Sequence, residues 1–425
     1  MTENPEHERH LIRYVGSFAP VVIASAQGAR LRTTTGQEIL DFSSGQMCAT
    51  LGHSHPRLVA AIRDAAERLI HLNSRYLAEE VVRLAARLAQ LLPPTLQKVV
   101  LLSTGSESNE VALKLAKMHT GRFEVVGLAR SFHGLTAGPA SSTYVVGHKG
   151  YGPGVPGTYA IPAPYCYRCP LGLQPQTCEF ACARLGFDLV DQQSVGELAV
   201  LIAEPIQSAG GVIEPPPGYW RTVKQLAEER GMLLIFDEAQ TGLGRVGALF
   251  AFEQEGVTPD VLTLSKTLGG GIPLAATVCS DALEADVHHK GFHYLTSHVS
   301  DPLAAAVGLA VLDAIAEDGL VQRAAELGDY LRRQLLELQA RHEVIGDVRG
   351  RGLLQGVELV RDRTSKASLG EAAVRINDRC LELGLGLDLL KRSGTTVWRV
   401  APPLVVTRAE IDRAIAIMDT ALRHA

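Results

Sequence analysis

The stretch MLLIFDEAQTGLGR, residues 232–245, is an apolar run that passes directly into two carboxylates. A run without polar alternation is typical of a strand buried on both faces, as in a mostly parallel sheet. A second such run, DVLTLSK, ends at Lys266 before three glycines, 29 residues after Asp237 closes the first run. Because open α/β sheets bind ligands at the carboxyl ends of their strands, we expect Asp237 and Lys266 at one ligand-binding edge.

Strand-length apolar runs alternate with helix-compatible segments along the middle of the chain. Further strands are expected at KVVLLS ending at Ser103, FEVVGLA from Phe123 and ELAVLIAEP from Glu197. Helices are expected at SNEVALKLAKMHT from Ser108 and at GYWRTVKQLAEERG from Gly218, the latter ending at a glycine suited to a C-cap. This alternation favours the α/β class.

The two ends of the chain have different patterns. In the first fifty residues, GARLRTTTGQEILDF contains a turn-like TGQ and predicts a hairpin. Beyond about residue 305 the sequence predicts long amphipathic helices over 304–340, strands at GLLQGVELV and TTVWRVAPPL, and a last helix with a capping box of Thr407 and Glu410. We therefore divide the chain into an N-terminal segment 1–50 that packs with the small domain, a large domain 51–305 and a small C-terminal domain 306–425.

Composition and charge narrow the class of function. The 425 residues are 46% hydrophobic and 20% charged, as in soluble globular proteins of two or three structural units. The formal net charge of -5 argues against binding to nucleic acid or to an anionic membrane surface. Neither a spanning apolar stretch nor a basic-then-apolar leader is found, so a cytoplasmic location and small-molecule chemistry are expected.

Asp237 and Lys266 together suit pyridoxal phosphate. That cofactor needs a lysine for a Schiff base and an anion that keeps its ring nitrogen protonated. For an isolated Asp and Lys, an ordinary buried ion pair or two unrelated surface charges would be the better explanation. The surrounding motifs decide between these interpretations.

STGSESNE follows a predicted strand and opens a helix, so the backbone N–H groups of Gly105 and Ser106 can meet a phosphate. SFHG places Phe132 where its ring could stack on a flat heterocycle, although a core phenylalanine explains the motif equally well. In DEAQTGLGR, Ala239 leaves room for a ring face and Gln240 offers a donor to a ring hydroxyl oxygen. The ordered set is more specific than any single motif.

In order and spacing, STGSESNE, SFHG, AEPIQ, FDEAQTGLGR and LSKTLGGGIPLAA resemble the class III (subgroup II) aminotransferase family over nearly the whole chain. The resemblance implies a fold-type I transferase, with a large domain built on a mostly parallel seven-stranded sheet and a smaller α+β domain. It also implies pyridoxal 5'-phosphate as cofactor, an amino acid and a 2-oxo acid as substrates, and a homodimer or homotetramer.

Carried over to this sequence, the resemblance implies that Lys266 bears the cofactor and moves protons, while Asp237 pairs with the ring nitrogen and Gln240 with the ring oxygen. Ser297 would reach the phosphate from a neighbouring subunit. The implied cofactor-binding residues are Gly105, Ser106, Asn109, Phe132, Glu204, Asp237, Ala239, Gln240, Lys266 and Ser297.

Through SGQMCATLGH from Ser44 and WRVAPPL from Trp398, the chain is most similar within the family to the 2,2-dialkylglycine decarboxylases. The resemblance implies that Arg399 binds a substrate carboxylate in a bidentate fork. Gln46 would hold a carboxylate perpendicular to the ring and so favour loss of carbon dioxide, although a plain surface or turn role stays open. Phe132, also a substrate contact, stands where that pattern has tryptophan.

The main prediction is thus decarboxylation-dependent transamination of a 2,2-dialkylglycine-type amino acid, with a 2-oxo acid such as pyruvate as acceptor. A plain class III aminotransferase for an ω- or α-amino acid is an alternative, because the cofactor motifs are shared by the family. A racemase or aminomutase is another. A non-catalytic protein on an inherited fold is disfavoured, since Lys266, Asp237 and the phosphate loop are intact.

The sequence contains two candidate metal sites. By the same resemblance, a potassium or sodium ion would be bound at Leu72, Ser74, Ser297, Val299 and Asp301. Of the seven cysteines, Cys48, Cys279 and Cys380 are scattered, which does not indicate a disulfide framework. The other four have a C-x2-C-x8-C-x3-C spacing that could hold zinc or an iron–sulfur centre, or could stay reduced and unligated: Cys166, Cys169, Cys178 and Cys182.

Overall fold

The computed structural model describes residues 9–12, 14, 18–146, 150–392 and 394–423. The strands are β1 Ile23–Gln27, β2 Arg30–Thr33, β3 Glu38–Asp41, β4 Lys98–Leu102, β5 Glu124–Leu128, β6 Thr158–Ile161, β7 Leu198–Ala203, β8 Leu233–Asp237, β9 Val261–Leu264, β10 Ala275–Cys279, β11 Ile345–Arg351, β12 Leu354–Leu359, β13 Leu385–Gly386, β14 Asp388–Arg392 and β15 Thr395–Val400.

The helices alternate with these strands through the central part of the chain. They are α1 Ser44–Met47, α2 Pro56–Arg68, α3 Glu79–Leu91, α4 Gly105–Thr120, α5 Ala137–Ser141, α6 Ala181–Gln193, α7 Tyr219–Glu228, α8 Ala251–Glu255, α9 Asp281–His289, α10 Pro302–Glu317, α11 Leu320–Arg341, α12 Glu371–Glu382 and α13 Arg408–Leu422, with 3-10 turns at Cys166–Arg168 and Lys266–Gly269.

The central sheet has seven strands in the order β4-β10-β9-β8-β7-β5-β6. Its pairings are parallel except at β10, which runs antiparallel to both β4 and β9. Every residue of β5, β7, β9 and β10 is buried, which explains their apolar runs. The mostly parallel seven-stranded sheet and the α/β class are confirmed.

The sheet brings the two sequence-predicted strand ends together. β8 ends at Asp237, which lies in register with Thr263 of the parallel strand β9. Lys266 follows β9 after one intervening residue and opens a 3-10 turn. Because the two strands are adjacent and parallel, their carboxyl ends meet at one edge.

Two smaller four-stranded sheets complete the chain. One is antiparallel, in the order β11-β12-β15-β14, and the other has the order β1-β2-β3-β13. The predicted hairpin is β2–β3, and β3 pairs in parallel with β13 from the C-terminal part of the chain. Thr407 and Glu410 form the expected capping box of α13. The helix from Gly218 ends at Glu228, earlier than the glycine expected to cap it.

Within the described residues, no helix is both long enough and apolar enough to cross a membrane.

Candidate active site

A cavity of about 490 Å³ opens at the carboxyl ends of the central strands. Its size suits a cofactor together with a small substrate. Loops after β4, β5, β7, β8 and β9 supply its walls. Nine residues predicted from the sequence line it: Gly105, Ser106, Asn109, Phe132, Glu204, Asp237, Ala239, Gln240 and Lys266.

Asp237 is buried and surrounded by hydrogen-bond donors. Its Oδ2 accepts from Nδ2 of Asn109 at 2.8 Å and from Nδ1 of His133 at 2.9 Å, and its Oδ1 accepts from the backbone N–H of Ala239 at 3.1 Å. Burial alone would raise the pKa of this carboxyl, but His133, Lys266 and Asn109 together hold the pKa below its usual range. Asp237 therefore presents a fixed negative charge to the cavity.

The donors to Asp237 are themselves held in place. Asn109 donates to the backbone carbonyl of His133 at 2.8 Å and accepts from the hydroxyl of Thr263 at 2.7 Å, so its amide orientation is fixed. The backbone N–H of His133 donates to Oγ1 of Thr143 at 2.8 Å. Neither His133 nor Thr263 is among the site residues predicted from the sequence, although SFHG does contain the histidine.

Lys266 begins its 3-10 turn with a left-handed backbone, φ 47°. Such a conformation costs a non-glycine residue about 1–3 kcal/mol and persists where the surroundings impose it. Burial lowers the pKa of the amine, and the nearby charge of Asp237 only partly restores it. A lowered pKa increases the fraction of neutral amine, which is the form that acts as nucleophile or base.

The N-terminus of α4 forms a place for an anion. Thr104 and Glu107 cap this helix reciprocally, and its first residues, Gly105 and Ser106, face the cavity. A Cβ on Gly105 would lie 2.8 Å from Oγ of Ser265, a buried hydroxyl without a hydrogen-bond partner among the described residues. Free backbone N–H groups, the helix dipole and an unpartnered hydroxyl suit a phosphate.

Glu204 positions the SFHG loop. Its carboxyl accepts from the backbone N–H of Phe132 at 2.9 Å and from that of Ser208 at 3.1 Å. Burial raises the pKa of Glu204 to about 7. The first bond fixes the backbone of Phe132, which lines the cavity, and the second fixes the Glu204 carboxyl within the loop after β7.

Gln240 and Arg399 are joined behind the cavity wall. Oε1 of Gln240 accepts from Nη1 of Arg399 at 2.7 Å and from the hydroxyl of Ser208 at 2.8 Å, which leaves its amide N–H groups to donate into the cavity. Nη2 of Arg399 pairs with the carboxylate of Asp388. Arg399 is buried and does not itself line the cavity. Its guanidinium, which the sequence predicted to bind a substrate carboxylate, already holds the carboxylate of Asp388.

Besides Arg399, two predicted residues lie outside the cavity lining. Gln46 is exposed on α1, where Gly45 has φ 61°, and Cys48 lines the cavity instead. Ser297 is also exposed. For these residues, the cofactor and substrate contacts inferred from the sequence stay predictions.

The predicted alkali-ion region has a different arrangement of contacts. The two carboxylate oxygens of Asp301 each lie 2.6 Å from an Nδ1 atom, one of His71 and one of His298. Among the described residues, these three form the one cluster of possible metal ligands from His, Cys, Asp and Glu whose donor atoms all lie within 4.8 Å of one another. Sequence analysis missed both histidines, and the alkali ion at Leu72, Ser74, Ser297, Val299 and Asp301 stays a prediction.

Residues 14–422 match the family model for aminotransferase class-III. An uncharacterized aminotransferase of Schizosaccharomyces pombe is 45% identical, covering 97% of this chain and 93% of the relative. A leucine/methionine racemase of Thermococcus litoralis is 35% identical, covering 96% and 91%. The structure of the omega transaminase from Pseudomonas jessenii in complex with PMP matches with a TM-score of 0.89 at 28% identity, covering 95% and 92%. None of these three is a dialkylglycine decarboxylase.

Proposed function

Because this chain belongs to the class III aminotransferase family, we propose that it moves an amino group from a carboxylate-bearing α- or ω-amino acid to a 2-oxo acid. This proposal takes the place of decarboxylation-dependent transamination as the main expectation. That interpretation depended on Gln46 together with Arg399, and Gln46 does not contribute to the cavity lining of this chain. Aminotransferases among the relatives support the same choice.

The observation that carries the proposal is the buried, ionised Asp237 beside Lys266 at one end of a cavity whose other end is a helix N-terminus. Pyridoxal phosphate, when bound, supplies an aldehyde for amines and a protonated ring that takes up electrons released at the substrate. The residues present fit this group: Ser265 and His133 each keep a buried polar atom unpartnered among the described residues, and Gly105 leaves space that a side chain would fill.

Each residue then has a distinct role. Asp237 holds the ring nitrogen, Gln240 donates to the ring oxygen and Phe132 covers a ring face. The N-terminus of α4 and the Ser265 hydroxyl receive the phosphate. We include a homodimer in the proposal, with Ser297 reaching the phosphate of the neighbouring subunit.

Lys266 carries the proton transfers. With pyridoxal phosphate bound, the amine of Lys266 would be the group that holds it, and the lowered pKa of this amine favours a neutral Nζ when the amine is free. Nζ can take a proton from the substrate α-carbon. In transamination it would return that proton to the cofactor carbon that was the aldehyde. The fixed anion of Asp237 keeps this transfer favourable because it stabilises positive charge on the ring.

Arg399 selects for a carboxylate. Its guanidinium is buried and already pairs with Asp388, so a substrate carboxylate has to displace that side chain. Asp388 is 31% exposed, and it can turn outward to water when displaced. An amine without a carboxylate leaves the pair intact and gains nothing from Arg399.

A racemase is the second candidate, supported by the leucine/methionine racemase of Thermococcus litoralis. Racemisation uses the same removal of the α-proton but returns it to the α-carbon. No acceptor is then consumed, which separates the two activities experimentally.

The test incubates cofactor-loaded protein with single amino acids, α and ω, and with pyruvate or 2-oxoglutarate. Formation of a new amino acid that requires the acceptor supports the aminotransferase, and Lys266→Ala should abolish it. Loss of optical activity without acceptor would favour the racemase. Carbon dioxide and acetone from 2-aminoisobutyrate would restore the decarboxylation-dependent reaction.

A further inference from the structure

The segment between β6 and α6 brings four cysteines to one place outside the active-site cavity. Cys166 opens a 3-10 turn that ends at Arg168, and Cys169 follows it immediately. Cys178 and Cys182 lie on either side of the N-terminus of α6. All four are partly buried free thiols. Two short loops, each with a pair of cysteines, are the usual framework of a structural zinc site.

The four cysteines line one small cavity of about 20 Å³. That space holds about one water molecule. An iron–sulfur centre adds several iron and sulfide atoms and therefore needs more space than a single ion. The size therefore favours a single ion over a cluster.

We propose that Cys166, Cys169, Cys178 and Cys182 bind one structural zinc ion as thiolates. The four thiol protons are released to solvent when the ion binds. Among the described residues, no three of these sulfur atoms lie within 4.8 Å of one another, as the donor atoms around Asp301 do. The proposed ion therefore requires the cysteine side chains to move inward when it binds.

The position of this segment gives the ion a structural role. Tyr165 and Arg168 both donate to Glu358 of β12, in the antiparallel sheet. Arg349 of β11 donates to the same carboxylate and to the Tyr165 hydroxyl, each at 2.8 Å. Lys366 donates to the backbone carbonyl of Tyr167 at 2.7 Å. A zinc ion here would hold the residues that connect the central sheet to the antiparallel sheet.

The experiment measures zinc and iron per chain in full-length protein purified under reducing conditions from zinc-supplemented cells, without metal-affinity steps. The zinc-edge X-ray absorption spectrum then identifies the ligands. We expect about one zinc per chain with four sulfur neighbours at about 2.3 Å. The double variant C166S/C169S should lose the zinc, whereas C380A, which removes a buried thiol outside the segment, should keep it.

Other results would overturn the proposal. One is iron with sulfide in the purified protein, and another is zinc surrounded by nitrogen or oxygen atoms. A third is a pair of disulfides, detected by mass under non-reducing conditions. The last is protein that is purified without metal and whose four thiols react freely. If the double variant is insoluble, the metal content and the absorption spectrum of the unaltered protein decide alone.

Discussion

Nδ1 of His133 lies 2.9 Å from Oδ2 of Asp237, and both residues are buried in the wall of the cavity. Because the carboxylate accepts, Nδ1 must carry the hydrogen, and this leaves Nε2 without a partner among the described residues. The pair ties the loop after β5 to the end of β8. His133 therefore acts on the site through the charge and orientation of Asp237.

Replacing Asp237 with asparagine should lower kcat/KM at least about 100-fold, a loss expected when a preorganised charge is removed from an active site. The amide keeps the shape of the side chain but cannot hold a proton on the ring nitrogen. Steady-state kinetics with the best donor would check this. A variant with near-normal turnover would contradict the assigned role.

His133→Gln should shift the acidic limb of the pH–rate profile to higher pH. His133 lowers the pKa of Asp237, so removing it raises that pKa, and the carboxyl becomes protonated at a higher pH as acid is added. Activity that requires the anion is then lost earlier on acidification. His119→Gln, at a half-exposed position paired with Asp286 away from the cavity, serves as the matched control. An unshifted limb would show that His133 has only a packing role.

Gly105→Ala should weaken retention of pyridoxal phosphate by about tenfold, which corresponds to about 1.4 kcal/mol. Its Cβ would approach the Ser265 hydroxyl to 2.8 Å at the place assigned to the phosphate. Equilibrium dialysis of the cofactor measures the effect. If the contact between the new Cβ and the Ser265 hydroxyl causes the weaker binding, the double variant with Ser265→Ala should lose less cofactor affinity than the sum of the two single variants. Strictly additive losses of affinity would rule out this explanation.

Asp388→Asn should lower KM for a carboxylate-bearing donor by about fivefold, or about 1 kcal/mol, because the substrate no longer displaces an ion pair from Arg399. The KM for an amine without a carboxylate should stay unchanged, and that comparison is the internal control. Arg399→Lys should raise the first KM, since lysine lacks the bidentate fork. Equal effects on both substrates would remove Arg399 from the carboxylate site.

Gln46→Ala should change the transamination rate by less than about twofold, as expected for an exposed side chain outside the cavity lining. Kinetics in the same panel of donors would test this. A large loss confined to carbon dioxide release from 2-aminoisobutyrate would instead support decarboxylation.

The sequence by itself determined the α/β class, the strands that carry the site and the position of Asp237 and Lys266 at the same edge of the central sheet. These follow from local information, because an apolar run predicts a buried strand and parallel strands end at the same edge. The capping box of α13 was equally local and is confirmed.

Only the tertiary structure decided the contacts between distant segments. It inserted β10 antiparallel between β4 and β9, joined His133 to Asp237 across 104 positions, and paired Arg399 with Asp388. It also left Gln46 exposed while Cys48 entered the cavity. Such contacts join segments that are far apart in the sequence and meet only in the folded chain. Neither the periodicity nor the spacing of residues in the sequence predicts which segments meet.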